Sequence, residues 1–138
     1  MGAWGLAAFE DDSALDWLAE PFEADGAAEV HVELTHVALF PTTDYLERDE
    51  GVEARAAAEI VAAAFDAPSP SIAEDILEQI AVHITDVRAM PDVRELAIKA
   101  TQRLVADNSE INELWTEEDG NAAEWKNAIS DLLKRLGV

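Results

Sequence analysis

The sequence predicts an all-α protein, a compact single-domain bundle of six or seven short helices with an extended N-terminal segment. Three observations predict it. Apolar residues recur at three- and four-residue steps in almost every segment. Capping residues and Pro or Gly breaks punctuate those stripes at short intervals. Alanine supplies 26 of the 138 residues, and it is the strongest helix former. A chain of this length suits one domain, and no internal repeat, low-complexity tract or long linker divides residues 1–138.

The elements follow in order. Ser13-Ala14-Leu15-Asp16 has the form of a capping box and predicts a helix over about 13–20, which Pro21 ends or carries into the next turn. Before it, Trp4 between glycines and Phe9 are expected to fold back and plug the bundle. In 27–40, Val30, Val32 and Leu34 alternate like a strand, whereas Val30, Leu34, Val37 and Ala38 share a helical face; helix is the reading taken. Residues 41–51 read as a connection, and the alanine-rich 52–65 as a helix. Ala67-Pro68-Ser69-Pro70 is a rigid break. Ser71-Ile72-Ala73-Glu74 is a second capping box, opening a stripe of Ile72, Ile76, Ile80, Ile84 and Val87. Beyond Pro91, Asp92 with Glu95 caps a helix whose face is Val93, Leu96, Ala97, Ala100 and Leu104. Asp107-Asn108-Ser109 stops and restarts the chain, and Ile111, Leu114 and Trp115 form a short helix ended by Gly120. Asn121 with Glu124 starts the last helix, whose inner face is Trp125, Ile129, Leu132, Leu133 and Leu136, and Gly137 closes it. Its final turn carries Lys134 and Arg135, as the helix dipole favours.

Charge and composition exclude several function classes. Thirty acids stand against nine bases, a formal net charge of -21. Residues 1–69 hold 16 acids and 2 bases, and residues 70–138 hold 14 and 7. Direct nucleic-acid binding is excluded, because phosphate contacts need Lys and Arg. The absence of cysteine removes disulfides, thiolate metal sites and cysteine nucleophiles. No apolar run is long enough to span a membrane, and an anionic bilayer would repel the chain. The first residues have neither a positive n-region nor an apolar h-region, so the expected location is the cytoplasm.

The chemistry-bearing residues form no recognised constellation. His31, His36 and His83 lack the converging spacing of a zinc site. Glu117-Glu118-Asp119-Gly120-Asn121 fails as a calcium loop, because Trp115 and Lys126 would fall where oxygen ligands are required; it reads as a helix-end turn. Nucleotide-binding and nucleophile-elbow motifs are missing. No cofactor, metal site or catalytic residue is therefore assigned. Two acidic clusters remain as candidate partner-binding residues: Glu10, Asp11, Asp12 and Asp16 around the first helix start, and Asp44, Glu47, Asp49 and Glu50 in the 41–51 connection.

The opening Met1-Gly2-Ala3-Trp4-Gly5, with Phe9-Glu10-Asp11-Asp12 and Ala14-Leu15-Asp16-Trp17, resembles that of a bacterial family of small acidic proteins classed as a domain of unknown function. The resemblance continues through Ala54–Ala63, Asp107-Asn108-Ser109-Glu110, Glu113-Leu114-Trp115 and Glu124-Trp125. It implies a bacterial, cytoplasmic, single-domain protein and brings no activity with it. The chain departs from the family at Ser13, where an acid is common, and in the histidine-bearing segment 29–36.

The function expected from these observations is an acidic protein-binding module that engages, and neutralises, a basic partner, as an immunity protein or inhibitor does. The alternatives are a nucleic-acid mimic, a carboxylate- or metal-dependent hydrolase, and a structural module that oligomerises through the alanine-rich helix.

Overall fold

A computed structural model describes residues 3–117 and 121–138. It is all-α: eight helices, with no strand among the described residues. The turn expected at 117–121, with the helix stop at Gly120, falls largely on residues outside the described ones.

The N-terminal segment has no helix. It doubles back on itself, with the Trp4 amide donating to the Glu10 carbonyl at 3.0 Å and Ala3 bridging antiparallel to Asp11. Phe9 is buried as expected, but Trp4 is 59% exposed. The loop is closed by backbone and by the Glu10 carboxylate, which accepts the Ala7 amide at 3.1 Å, so the Trp4 ring is left outside the core.

Helix α1 runs through Asp12–Trp17, a π-helical stretch Leu18–Phe22 and Glu23–Asp25. Its cap is Asp11 and not Ser13: the Asp11 carboxylate accepts the Ser13 amide at 2.9 Å. Pro21 does not end the helix. It lies in the π-helical stretch, where the wider repeat accommodates a residue that has no amide proton to donate. Gly26, at φ 53°, breaks the chain into α2, Ala27–Ala38. A side chain there would collide with the His83 ring, which packs edge-on against Phe22. In α2, Val30, Leu34 and Val37 are buried and Val32 is 58% exposed, so the helical period wins over the alternation.

Helix α3, Arg48–Ala64, begins four residues earlier than expected. Glu47 and Glu50 form a reciprocal capping box, with the Glu50 carboxylate accepting the Glu47 amide at 2.9 Å. The acids that make 41–51 look like a connection are thus a helix start. From Gly51 to Ala64 all residues but Glu53 are buried, as in a helix surrounded on every side. It touches α1, α2 and α5–α8, and its small side chains permit that close approach. A Cβ on Gly51 would press within 2.9 Å of the Ile111 Cγ2.

The isoleucine stripe is split between α4, Glu74–Ala81, and α5, Ile84–Ala89, which is why the helices number eight. At the break Val82 is 76% exposed. Ile80 and Val87 are fully buried, while Ile76 and Ile84 pack at the core's edge. The Ser71 capping box does not form. Ala73 occupies the cap, and the Ser71 hydroxyl pairs with that of Ser69 at 2.7 Å.

Helix α6, Val93–Leu104, starts from Asp92 in the left-handed region (φ 60°) with no side-chain cap bond, so the Asp92–Glu95 cap is also absent. The left-handed backbone at Asp92 itself sets the helix start. Helices α7, Glu110–Glu117, and α8, Ala122–Arg135, bury Ile111 and Trp115, and Trp125, Ile129 and Leu132. Gly137 closes α8 as a Schellman motif: its amide donates to the Lys134 carbonyl at 2.9 Å and that of Val138 to Leu133 at 3.0 Å.

Candidate functional site

Arg48 draws the two acidic clusters together. Its guanidinium pairs with Asp11, reaches Asp49 at 2.7 Å and donates to the Ser13 hydroxyl at 3.3 Å, while Ser13 donates to Asp49 at 3.0 Å. The Arg48 amide donates to Glu110 at 2.8 Å. Asp11 is buried, and Asp11 and Asp49 are committed to this junction. Glu10 shapes the loop, and Glu47 and Glu50 cap α3. Asp12, Asp16 and Asp44 remain as exposed carboxylates, and Asp44 stands apart on the 39–47 connection.

A second group of acids lies along the α2–α3 seam. Trp17 Nε1 donates to Glu29 at 2.8 Å, and His36 Nε2 lies 2.8 Å from Glu50. Between them Glu33 is pushed up to about 8, first by burial and then by the charges of Glu53 and Glu29. Burial and Asp49 also raise Glu53. Sequence spacing pointed to none of this, because helix α3 had to start at residue 48 for Glu50 and Glu53 to face α2. Among the described residues no three His, Asp or Glu side chains are disposed to hold a metal ion.

The arginines are mostly turned inward. Arg103 donates to the backbone carbonyls of Phe40, Pro41, Asp44, Asp107 and Asn108 at 2.9–3.2 Å, tying the 39–47 connection to the turn before α7. Arg135 grips both oxygens of Glu59, at 2.7 and 3.1 Å, and Asp131 at 2.8 Å. Arg55 is 6% exposed and lies over the Trp125 ring at 5.1 Å. Burial pulls its guanidinium down to about 10, so it remains charged at neutral pH.

A groove of about 510 Å³ lies between the N-terminal loop, α1 and α4. Phe9, Leu15, Leu18, Ile72 and Ile76 line it, with Trp4 at its edge. It adjoins a smaller cavity of about 200 Å³ lined by Arg55, Glu59, Ser69, Ser71, Asp131 and Arg135. Ala7, Ala8, Glu59, Ser69 and Ser71 line both. One sign of this site was legible: Arg55 interrupts an alanine run on a helix destined for burial, and a buried arginine needs a reason.

Fold and surface together define a small helical protein with an anionic exterior, internalised arginines and a largely apolar groove. The chain belongs to the family described as "Domain of unknown function (DUF4259)", whose model matches residues 2–128. No curated protein and no solved structure matches it. No helix among the described residues is long and apolar enough to cross a membrane.

Proposed function

We propose that this protein is a cytoplasmic, non-catalytic binding module whose acidic surface engages a basic protein partner. The observation that carries the reading is the fate of the arginines. Arg48, Arg55, Arg103 and Arg135 are consumed by internal contacts, so the exterior field is more uniformly negative than the composition alone requires. Such a field steers a cationic partner and raises its association rate. Asp12, Asp16 and Asp44 are the candidate residues free to act in this way.

The test is capture on the immobilised chain at about 50 and 200 mM salt, which differ in electrostatic screening. One near-stoichiometric basic protein, weakened but retained at the higher salt, is expected. Replacing Asp12, Asp16 and Asp44 by Lys should then slow its association roughly tenfold at low salt. An unchanged association rate, or a smear of basic proteins that washes away, overturns the reading.

A further inference from the structure

The groove between the N-terminal loop, α1 and α4 pairs an apolar floor with an acidic border. Leu18 and Ile72 are buried beneath it, and Leu15 and Ile76 are left half-buried along its walls. Among the described residues that line it, the charged ones are Glu10, Glu59 and Asp75, all acids. Glu59 is spent on Arg135, whereas Asp75 is exposed. Leu15 lines the groove from α1, and helical spacing puts Asp12 and Asp16 on the same face, one turn apart beside it; both are exposed. Trp4 stands at the edge, 59% exposed, its amide held by the Glu10 carbonyl. An exposed tryptophan beside an apolar floor, bordered by charge, has the make-up of an interface hot spot. Charge complementarity selects the occupant. A second copy of this chain would bring its own net charge of -21 to the groove, and an anionic ligand would meet the same repulsion. A cationic segment with apolar side chains is favoured on both counts. The walls are helical and no strand is present among the described residues, so strand addition has no template here and a helix in the groove is the mode that fits.

We propose that this groove seats an amphipathic helix of the basic partner, its apolar side chains between Leu15 and Ile76 and its Lys or Arg residues opposite Asp12, Asp16 and Asp75. The inference rests on the basic-partner reading and locates the contact. The two make separate kinetic claims. The surface field sets how fast the partner arrives, while the apolar groove sets how long it stays.

The test measures association and dissociation rates of the full chain with two synthetic helical peptides of about four turns. Both carry the same Lys residues on one face; the opposite face is Leu in one and Gln in the other. The Leu peptide is expected to bind, and the Gln peptide about tenfold or more weakly at about 200 mM salt, where surface attraction is screened. Ala73 is exposed and lines the groove, so Ala73→Phe should fill it while keeping the charge and the thermal midpoint. Its association with the Leu peptide should be unchanged at low salt and its dissociation about tenfold faster. Trp4→Ala removes an exposed ring and should speed dissociation about threefold or more, and it decides the question if Ala73→Phe does not fold. Equal affinity for the two peptides, binding of neither, or a wild-type dissociation rate from folded Ala73→Phe overturns the docking site. Dimerisation of the chain that Ala73→Phe abolishes assigns the groove to a second copy and overturns it equally. The basic-partner reading fails on a different result: an association rate that the Lys variants of Asp12, Asp16 and Asp44 leave unchanged.

Discussion

Single side chains hold this fold where helices alone do not. Arg103 is the clearest case: a buried guanidinium whose donors all end on backbone carbonyls of two irregular segments. Replacing it by Met removes the donors and strands those carbonyls, so Arg103→Met should cost about 3 kcal/mol in urea unfolding. Arg88 offers the contrast. It is half exposed, and its pair with exposed Asp66 is 3.2 Å long, so Arg88→Ala should cost under about 1 kcal/mol. Equal losses would mean that Arg103 is not the clamp described. Glu33 gives stability a pH dependence. Its carboxyl sits at about 8 in the folded chain against 4.5 ordinarily, so between those values the folded state holds a proton that the unfolded state releases. That contribution is complete below about pH 4.5 and is lost as pH rises through 8. Its electrostatic surroundings are Glu53, Glu29 and Glu50. Glu33→Gln should match the parent near pH 4 and exceed it by about 1–2 kcal/mol near pH 9, a figure reduced for solvent screening of a half-exposed group. Parallel pH profiles for the two proteins would rule this out.

At the scale of elements, Gly26 decides how α1 passes into α2. Its positive φ and the His83 ring beside it both exclude a side chain, so Gly26→Ala should destabilise by about 2 kcal/mol or more. Gly137 also has a positive φ, but its hypothetical Cβ would meet nothing closer than Arg94 at 3.5 Å. Gly137→Ala should therefore cost only about 1 kcal/mol. Thermal unfolding of the two variants checks the order. Elements read from the sequence stood or fell on what their residues depend on. Apolar periodicity is local and located α2, α6 and α8 well. Caps depend on where the chain turns: Ser13 and Ser71 have the right neighbours, yet Asp11 and Ala73 take the positions because Arg48 and the Ser69–Ser71 pair fix the preceding backbone. The α3 start was hidden for a related reason. Acids in a capping box and acids in a loop look alike until the reciprocal bonds of Glu47 and Glu50 are seen. The groove was illegible because α4 closes it against the N-terminal loop and α1, which lie far earlier in the chain.

On the scale of the whole molecule, the charge that suggests a basic partner also strains the fold. A net charge of -21 on a compact chain repels itself more than the same charge on an expanded unfolded chain. The internal ion pairs relieve this locally, but Arg48 and Arg135 are already committed, so the exposed acids keep their mutual repulsion. Added salt screens charges several ångströms apart at the surface and leaves buried pairs largely intact. The net effect of salt should therefore be stabilising: the thermal midpoint should rise by about 5 °C or more between about 20 mM and 0.5 M sodium chloride. A general effect of salt on apolar burial would act equally on any variant, so the charge origin has its own signature. Replacing Asp12, Asp16 and Asp44 by Lys lowers the net negative charge without touching an internal pair, and it should raise the low-salt midpoint and shrink the salt-dependent rise together. If the triple variant shows the parent's full rise, self-repulsion is not what salt relieves. The exposed acids would then be available to a partner at no cost to the fold.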